Sequence, residues 1–330
     1  MSKILSRKDR EGMALLVVLI MVAVLAVIAV AVLDDVRFSI RRAVNVETGA
    51  QAQWYAIGAE RVALRAVRRL HEAGPIRTPL DPEWNGKAFS YPIEQGEIRA
   101  QVRDGQACFN LNSVVEGGTD AWVARPEGIA QFMALARALG LPEARARKVA
   151  DSLTDWIDSD DLPRGLGAED AVYQSRPKPY RTAGGLMVEA SELRAVDGVD
   201  AATYRTLRPF LCALPEALLS PINVNTLTVE KAPLLVMLSD GRLSASAARS
   251  AIAAMPRGGW ADAAAFWGQG VLRDAQPSAA VREQVGVRTR YFAFEAEVRY
   301  AGALAVRSGM IQISKDNRVQ TVLVRWTAED

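Results

Sequence analysis

The pattern of hydrophobic and polar residues divides the chain into a long N-terminal segment, a middle part and an alternating end. A charged start is followed by 21 consecutive residues without a charge, at positions 13–33. Apolar residues then continue at helical spacing, without proline, to position 70. Gly74 and Pro75 predict the end of this helix, which would be about 87 Å long at 1.5 Å per residue. Because about 20 apolar residues cross a bilayer core, positions 13–33 predict a transmembrane helix and the rest an exposed amphipathic stem.

The remainder of the chain predicts an antiparallel sheet interrupted by helices. Alternation predicts strands at 97–103 and, after an Asp104-Gly105 turn, at 108–112, which we expect to pair as a hairpin on the stem. Alternation returns in strands at 290–300, 303–314 and 319–327. The predicted fold class is α+β, with inserted all-helical domains. Helical spacing falls at residues 129–139, 145–156, 191–196, 201–211, 229–238, 244–255 and 262–267. We identify no internal repeat.

Composition limits the possible chemistry. The 330 residues carry a net charge of +2, and 24% of them are charged, so no basic domain favours nucleic acid. His71 is the one histidine in the sequence, which nearly excludes histidine-based catalytic triads and metal clusters. Cys108 and Cys212 would meet an oxidising compartment outside the inner membrane, where they either form a disulfide or stay as two buried thiols.

Gly12 stands directly before the apolar run, after a charged leader. Secretory signals have a shorter apolar region with the small residues after it. The order found here resembles a type IV prepilin leader, in which a prepilin peptidase cuts after the glycine and methylates the new N-terminus, here Met13. A plain signal anchor is the alternative. The fifth residue after the cut would be Val17, where most pilin-like subunits have Glu. Basic residues before the run predict a cytoplasmic N-terminus and a periplasmic remainder.

An acidic, glycine-containing loop holds the densest chemistry of the chain. All its candidate ligands are oxygens, which suit Ca²⁺ or Mg²⁺ rather than Zn²⁺. The loose spacing on a flexible loop favours calcium, although the twelve-residue EF-hand pattern is missing. A solvated acidic helix end and a catalytic carboxylate pair are the other interpretations. Six carboxylates fall within sixteen residues, namely Asp155, Asp158, Asp160, Asp161, Glu169 and Asp170.

Several short motifs together are similar to the signature of the GspK family, the minor pseudopilins of type II secretion that lack the usual Glu at the fifth position. The resemblance covers nearly the whole chain when the leader is included. The motifs are Phe-Asn-Leu-Asn at 109–112, Asp-Trp-Ile-Asp at 155–158, Gly-Ala-Glu-Asp at 167–170, Pro-Tyr-Arg at 179–181, Ser-Glu-Leu at 191–193, Leu-Pro at 214–215 and Ile-Asn-Val-Asn-Thr at 222–226.

The resemblance implies a structural protein and not an enzyme. It implies a pilin-like fold with inserted SAM-like helical domains. It further implies a complex with other minor pseudopilins that caps the pseudopilus tip and supports export of folded proteins across the outer membrane. A structural Ca²⁺ would be bound by Asp155, Asp158, Asp160, Glu169 and Asp170.

We therefore expect six regions along the chain. They are a prepilin leader at 1–12, the transmembrane helix at 13–33, a stem with first strands at 34–118, an inserted helical domain at 119–214, a second small helical domain at 215–272 and closing strands at 273–330.

Two other functions are weaker alternatives. Residues 222–226 with the two short helices after them also resemble the opening of helix-hairpin-helix domains in DNA-uptake proteins. Such hairpins present glycine N–H groups and basic side chains to phosphate, whereas in the Ser-Asp-Gly-Arg turn at 239–242 an aspartate opposes the arginine. A membrane-tethered enzyme would need a catalytic motif, and we find no hydrolase, P-loop, dinucleotide or zinc motif in the sequence.

Overall fold

A computed structural model describes residues 7–80, 83–118 and 121–328. The first helix, α1 (Arg7–Ala73), is continuous for 67 residues. Its described part includes residues 7–12 of the predicted leader, which contain no proline and whose charged residues cost a helix little. The bond between Gly12 and Met13 therefore lies inside the helix. The predicted end is confirmed, since Gly74 N–H donates to the carbonyl of Leu70 at 3.1 Å.

Helix α1 has an unpacked half and a packed half. Among the described residues it is the one helix long and apolar enough to cross a membrane, with a mean hydropathy of 3.5 in its most apolar window and none of that window buried. From Ala52 onward the same helix lies against a sheet, where Ala52, Ala56, Ala63 and Val67 are buried. Their small side chains allow a close approach of helix and sheet.

The remaining elements alternate between a sheet and a helical insert. The strands are β1 (Ala88–Ile93), β2 (Gly96–Asp104), β3 (Phe109–Asn110), β4 (Val115–Gly118), β5 (Ala121–Ala124), β6 (Leu211–Cys212), β7 (Ile222–Asn223), β8 (Val285–Gly286), β9 (Tyr291–Tyr300), β10 (Ala303–Ile313) and β11 (Val319–Arg325). The helices after α1 are α2 (Pro126–Ala138), α3 (Glu143–Ile157), α4 (Asp170–Gln174), α5 (Ala201–Leu207), α6 (Ala232–Leu238), α7 (Ala245–Ala253), α8 (Ala263–Trp267) and α9 (Ala279–Gln284).

The main sheet has five antiparallel strands in the order β1-β2-β9-β10-β11. Its central pair, β2 and β9, aligns Ile98 with Val298 and Val102 with Phe294. The predicted hairpin between residues 97–103 and 108–112 is wrong. The hairpin partner of β2 is β1, an almost wholly exposed edge strand without the alternation that marks a half-buried strand. The segment at 108–112 leaves the sheet, and β3 pairs in parallel with β6.

The chain between β2 and β9 forms the helical insert, which contains elements β3 to β8 and α2 to α9. Its buried hydrophobic side chains form one continuous cluster from Phe109 to Val287. The predicted helix at 201–211 ends at Leu207 and continues as a 3₁₀ turn, Arg208–Phe210, because Pro209 cannot donate a helical hydrogen bond. Short paired strands also occur within the insert, where we expected helices alone.

The insert lies at the end of the sheet farthest from the apolar half of α1. Its two ends meet there, since Gly105 N–H donates to the carbonyl of Tyr291 at 2.8 Å. The segment after α1 also contacts it, with Thr78 N–H donating to the carbonyl of Val287 at 3.1 Å. The insert therefore joins the sheet next to the C-terminal end of the stem.

Two Asn-x-Asn motifs fasten the insert in the same way. Asn112 donates to the carbonyls of Met187 and Leu214 at 2.8 Å each. Asn225 donates to the carbonyl of Trp260 at 3.0 Å and accepts from its N–H at 2.7 Å. The first asparagine of each motif lies in a two-residue parallel pairing, of β3 with β6 and of β7 with β8. Residues 109–112 and 222–225 are thus a structural repeat that we did not identify from the sequence.

A disulfide joins Cys108 and Cys212 beside the β3–β6 pairing, with the two Cα atoms 5.7 Å apart. It connects the first turn after the sheet to a residue 104 positions later in the chain. The bond closes a loop that contains α2 to α5 and the acidic loop.

Candidate metal centre

Three acidic side chains meet where α3 ends and α4 begins. Asp155 lies in the last turn of α3, Asp158 follows that helix directly, and Glu169 precedes α4. Asp158 N–H donates to the carbonyl of Thr154 at 2.8 Å, which extends the helical backbone by one residue. The intervening loop folds back, so that residues eleven to fourteen positions apart in sequence become neighbours.

The three carboxylates form a compact, buried cluster. One oxygen each of Asp155, Asp158 and Glu169 lies within 4.8 Å of the others. The residues are 1%, 5% and 6% exposed, respectively. The Oδ1 atom of Asp158 and the Oε1 atom of Glu169 are buried without a hydrogen-bond partner. Because a buried charge without a partner costs several kcal/mol, on the order of 3–5, the arrangement calls for a proton or a cation.

Burial raises the pKa of each of these carboxyls, and the neighbouring negative charges raise it further. The pKa of Asp155 rises to about 6, mainly through desolvation. Desolvation followed by repulsion from Asp160 and Asp155 raises the pKa of Asp158 to about 7. The pKa of Glu169 rises to about 8, again through desolvation and then the surrounding aspartates. At neutral pH the cluster without a cation would hold protons.

The loop backbone fixes the orientation of Asp155. Arg164 N–H donates to the Asp155 carboxylate, at 3.3 Å to Oδ1 and 3.1 Å to Oδ2. A Cβ atom at Gly167 would lie 1.8 Å from Asp155 Oδ2, so only glycine permits this close approach. Gly167 N–H donates to the carbonyl of Arg164 at 2.8 Å. The glycine-containing loop therefore wraps around the carboxylate of Asp155.

Two of the five predicted ligands lie outside the cluster. Asp170 Oδ1 accepts from the N–H of Thr182 at 2.9 Å and from its hydroxyl at 3.0 Å, and Asp170 Oδ2 lies 3.6 Å from Arg181. These partners hold the pKa of Asp170 below its usual value, chiefly through the Thr182 backbone. Asp160 is exposed and accepts from Leu162 N–H at 2.9 Å. It lies close enough to the cluster to raise the pKa of Asp158.

Asp151 is a supporting residue that we did not single out from the sequence. Its Oδ2 atom accepts from Leu166 N–H at 3.1 Å, and its Oδ1 atom lies 3.8 Å from Arg164 Nε. Its position one helical turn before Asp155 was the available signal, since residues four apart share a helix face. Asp151 holds the loop against α3.

Aromatic side chains pack beneath the cluster. Trp156 stacks edge-on against Tyr173, with ring centroids 5.2 Å apart. Tyr180 lies 5.3 Å from Tyr173, and the guanidinium of Arg176 lies 4.9 Å from the centre of the Tyr173 ring. These rings are rigid, so they limit the movement of the acidic residues on either side of Trp156.

The donor set has the chemistry of a hard-cation site. All three converging side chains supply oxygen, and the described residues place no histidine or thiol among them. Calcium accepts oxygens at about 2.3–2.6 Å in flexible geometry, so oxygens within 4.8 Å of one another can share one ion. Backbone carbonyls and water would have to supply its remaining ligands.

Comparison with known proteins places the chain in a family. Family models described as "Type II secretion system (T2SS), protein K" match residues 107–216 and 222–288. Type II secretion system protein K of Pectobacterium carotovorum subsp. carotovorum is 35% identical, over 96% of each chain. The chain belongs to the type II secretion system protein K family. The protein of that name from Klebsiella pneumoniae is 33% identical, over 97% of this chain and 99% of the relative.

A solved structure agrees with this membership of the protein K family. A chain in the crystal structure of the GspK-GspI-GspJ complex from the enterotoxigenic Escherichia coli type 2 secretion system is 30% identical and superposes with a TM-score of 0.77. The match covers 87% of this chain and 99% of that one. The resemblance and the α+β fold predicted from the sequence are thereby confirmed. This protein K homologue is a minor pseudopilin of type II secretion, a family of structural subunits, and the matches do not favour a DNA-binding function.

Proposed function

We propose that this minor pseudopilin caps the pseudopilus tip in complex with other minor pseudopilins and thereby supports export of folded proteins across the outer membrane. The placement of the helical insert carries the proposal. The insert joins the sheet next to the C-terminal end of α1, where it would obstruct a subunit stacked above this one. Val17, at the position where most pilin-like subunits have Glu, is consistent with a subunit that needs no neighbour above it. A similar chain crystallised in the GspK-GspI-GspJ complex, which supports partnership with two other minor pseudopilins.

We infer that α1 anchors the chain in the inner membrane by a single pass, with the bulk of the chain in the periplasm and no enzymatic role. The exposed apolar half of α1 supports this. Prepilin peptidase would cut between Gly12 and Met13 and methylate the new N-terminus. The helix would have to open at Gly12, which is favoured there because glycine weakens a helix by about 1 kcal/mol.

The intact mass of the chain from native membranes tests the processing step. We expect a chain that begins at Met13 and carries one added methyl group. A chain that still begins at Met1 would refute processing and, with it, assembly as a pseudopilin. A Gly12→Leu variant should remain at the unprocessed mass and serves as the control.

We further propose that Asp155, Asp158 and Glu169 bind a structural calcium ion, with Asp160 near the solvent side. The two buried, unpartnered carboxylate oxygens are the observation that supports it. The ion would neutralise the cluster and hold the loop between α3 and α4. Metal analysis of the purified chain, with calcium measured per polypeptide before and after chelation, tests the proposal directly.

The six-region division of the chain remains a proposal as well. One hydrophobic cluster runs from Phe109 to Val287, so the two proposed helical domains would be packed against each other and not independent of each other. Limited proteolysis should then cut between the stem and the insert before it cuts within the insert.

A further inference from the structure

The exposed face of the stem carries a row of positive charge. Arg61, Arg65, Arg68 and Arg69, which we name the basic stripe, are all exposed. Their spacing of three, four and seven residues places them on one side of α1. The opposite side, with Ala56, Ala63 and Val67, packs on the sheet.

The basic stripe has no charge partner within the part of the chain that the structure describes. On the opposite side of the helix, by contrast, Glu60 forms an ion pair at 2.7 Å with Arg307 of the sheet. No hydrogen bond or ion pair joins a stripe guanidinium to another described residue, and Glu72, one turn after Arg68, makes no ion pair with it. Like charges at three- and four-residue spacing weaken a helix, so the stripe opposes the stability of the isolated stem.

An apolar surface adjoins the basic stripe. Trp54, on the same side of α1, is 67% exposed, and Val62 is 69% exposed. Tryptophan and arginine are the residue types enriched at protein–protein interfaces, so their combination here is consistent with a surface covered in an assembly.

The position of the basic stripe decides against membrane phosphate as its partner. From residue 33 to Arg61 the helix rises by about 42 Å, and even a 40° tilt leaves about 30 Å. The Debye length is about 8 Å at physiological ionic strength. Headgroup charge is therefore screened long before it reaches Arg61.

We propose that the basic stripe docks an acidic helical face on the stem of another minor pseudopilin in the same complex. This rests on the proposed assembly, in which membrane-anchored subunits pack side by side through their stems. A stem helix that runs parallel to α1 can contact the basic stripe along its whole length. The face of that helix that meets the stripe must be negatively charged to complement it. Trp54 would pack at the membrane-proximal end of this contact.

Charge reversal on the full-length chain tests the contact. The variant Arg61→Glu/Arg65→Glu/Arg68→Glu would be co-expressed with the other minor pseudopilins, extracted in detergent and recovered by a C-terminal tag. We expect about a tenfold or greater loss of partner recovery at physiological salt. Recovery with the wild-type chain should also fall as salt rises from 50 to 500 mM, because exposed charges are screened.

A matched control carries the same charge change on the insert. Arg205, Arg249 and Arg282 are exposed and lie on α5, α7 and α9, and their reversal to Glu should leave recovery at the wild-type level. Equal recovery of both variants would refute the basic stripe as a docking surface. Failure of the wild-type chain to recover any partner at any salt would instead refute the assembly itself.

Photo-crosslinking keeps the test decisive if the charge-reversed chain misfolds. A photoreactive amino acid in place of Trp54 should crosslink to a partner stem, whereas the same group in place of Arg205 should not. Absence of a partner crosslink at Trp54, in a chain that co-purifies with its partners, would overturn the proposal. Vesicles with 30% anionic lipid test the membrane as an alternative partner. Equal vesicle binding by the wild-type and charge-reversed chains would agree with the proposal. Loss of vesicle binding by the charge-reversed chain alone would make lipid the ligand and refute the proposal.

Discussion

Replacing Asp158 by Asn distinguishes a calcium site from a merely acidic cluster, because the expected effect on stability has opposite signs without and with calcium. Asn has nearly the same shape as Asp but carries no charge. In metal-free protein at pH 8, the folded state must hold the Asp158 charge against desolvation and its acidic neighbours. Removing that charge should therefore stabilise the metal-free protein and weaken calcium binding.

The two effects are similar in size. One pKa unit corresponds to about 1.4 kcal/mol, and after allowance for solvent screening on the Asp160 side we expect the variant to gain about 1–3 kcal/mol without calcium. At 5 mM calcium, a site with a Kd of about 0.1 mM adds about 2 kcal/mol to the wild-type protein. That corresponds to a rise in Tm of about 4–8 °C, which the variant should lose.

Thermal melting followed by tryptophan fluorescence measures both effects in the full-length chain in detergent. Trp156, one residue after Asp155, is a local reporter. Asp170→Asn is the matched control, since its carboxylate faces Thr182 and Arg181, and it should keep the calcium-dependent rise. Magnesium should raise Tm less, because it demands a tighter octahedral site. An identical wild-type Tm in calcium and in chelator would refute the calcium site, and equal losses in the two variants would refute the ligand set.

Three further predictions follow from the structure. First, metal-free protein should lose stability as the pH rises from 5 to 8. The three cluster carboxyls have folded-state pKa values of about 6, 7 and 8, all above their usual values. The stability that they contribute below pH 4 is therefore lost as they ionise. A flat Tm-against-pH profile in chelator would contradict this, and saturating calcium should reverse the slope. Second, Cys108→Ser/Cys212→Ser should lower the free energy of unfolding by about 2–5 kcal/mol, since the disulfide joins residues 104 positions apart. Chemical unfolding measures this loss, and added reductant should destabilise the wild-type protein but not the variant. Third, Glu60→Gln should lower the free energy of unfolding by about 1–3 kcal/mol, because Arg307 loses its ion pair between stem and sheet. The urea midpoint measures this loss, with the exposed stem substitution Glu72→Gln as the control. An equal drop in the midpoint for both variants would count against this role of Glu60.

The long periodic elements could be predicted from the sequence, because each has a strong local pattern. The end of α1, the helices α2 and α3, and the strands β9 to β11 all lie within a few residues of their predicted positions. Edge strand β1 has no such pattern, since its side chains are mostly exposed. Its pairing with β2 depends on the register of the whole sheet. The segment at 108–112 has a strand-like sequence, but its partner, β6, lies about a hundred residues away.

The candidate metal site was likewise predictable only in its local features. The acidic residues and the preference for oxygen-binding cations follow from composition, whereas the choice among six carboxylates depends on the loop path. In the sequence, Asp170 is as good a candidate ligand as Glu169, yet its carboxylate accepts a hydrogen bond from the Thr182 backbone and lies outside the cluster. Gly167 and Asp151 contribute through backbone approach and loop support, which only the folded loop brings together.

The pairing of β2 with β9 has a consequence for how the chain folds. These strands are central in the sheet, yet the whole insert, residues 105–290, separates them. Closing a loop of this length costs about 3 kcal/mol more than closing a four-residue hairpin. The outer hairpins, β1–β2 and β9–β10–β11, close locally and do not carry that cost. We expect condensation of the insert to offset this cost, because it brings Gly105 next to Tyr291 and so places the two parts of the sheet together. We therefore expect a subunit whose insert fails to fold to leave β2 and β9 unpaired, so that folding of the helical insert would be a condition for a complete sheet.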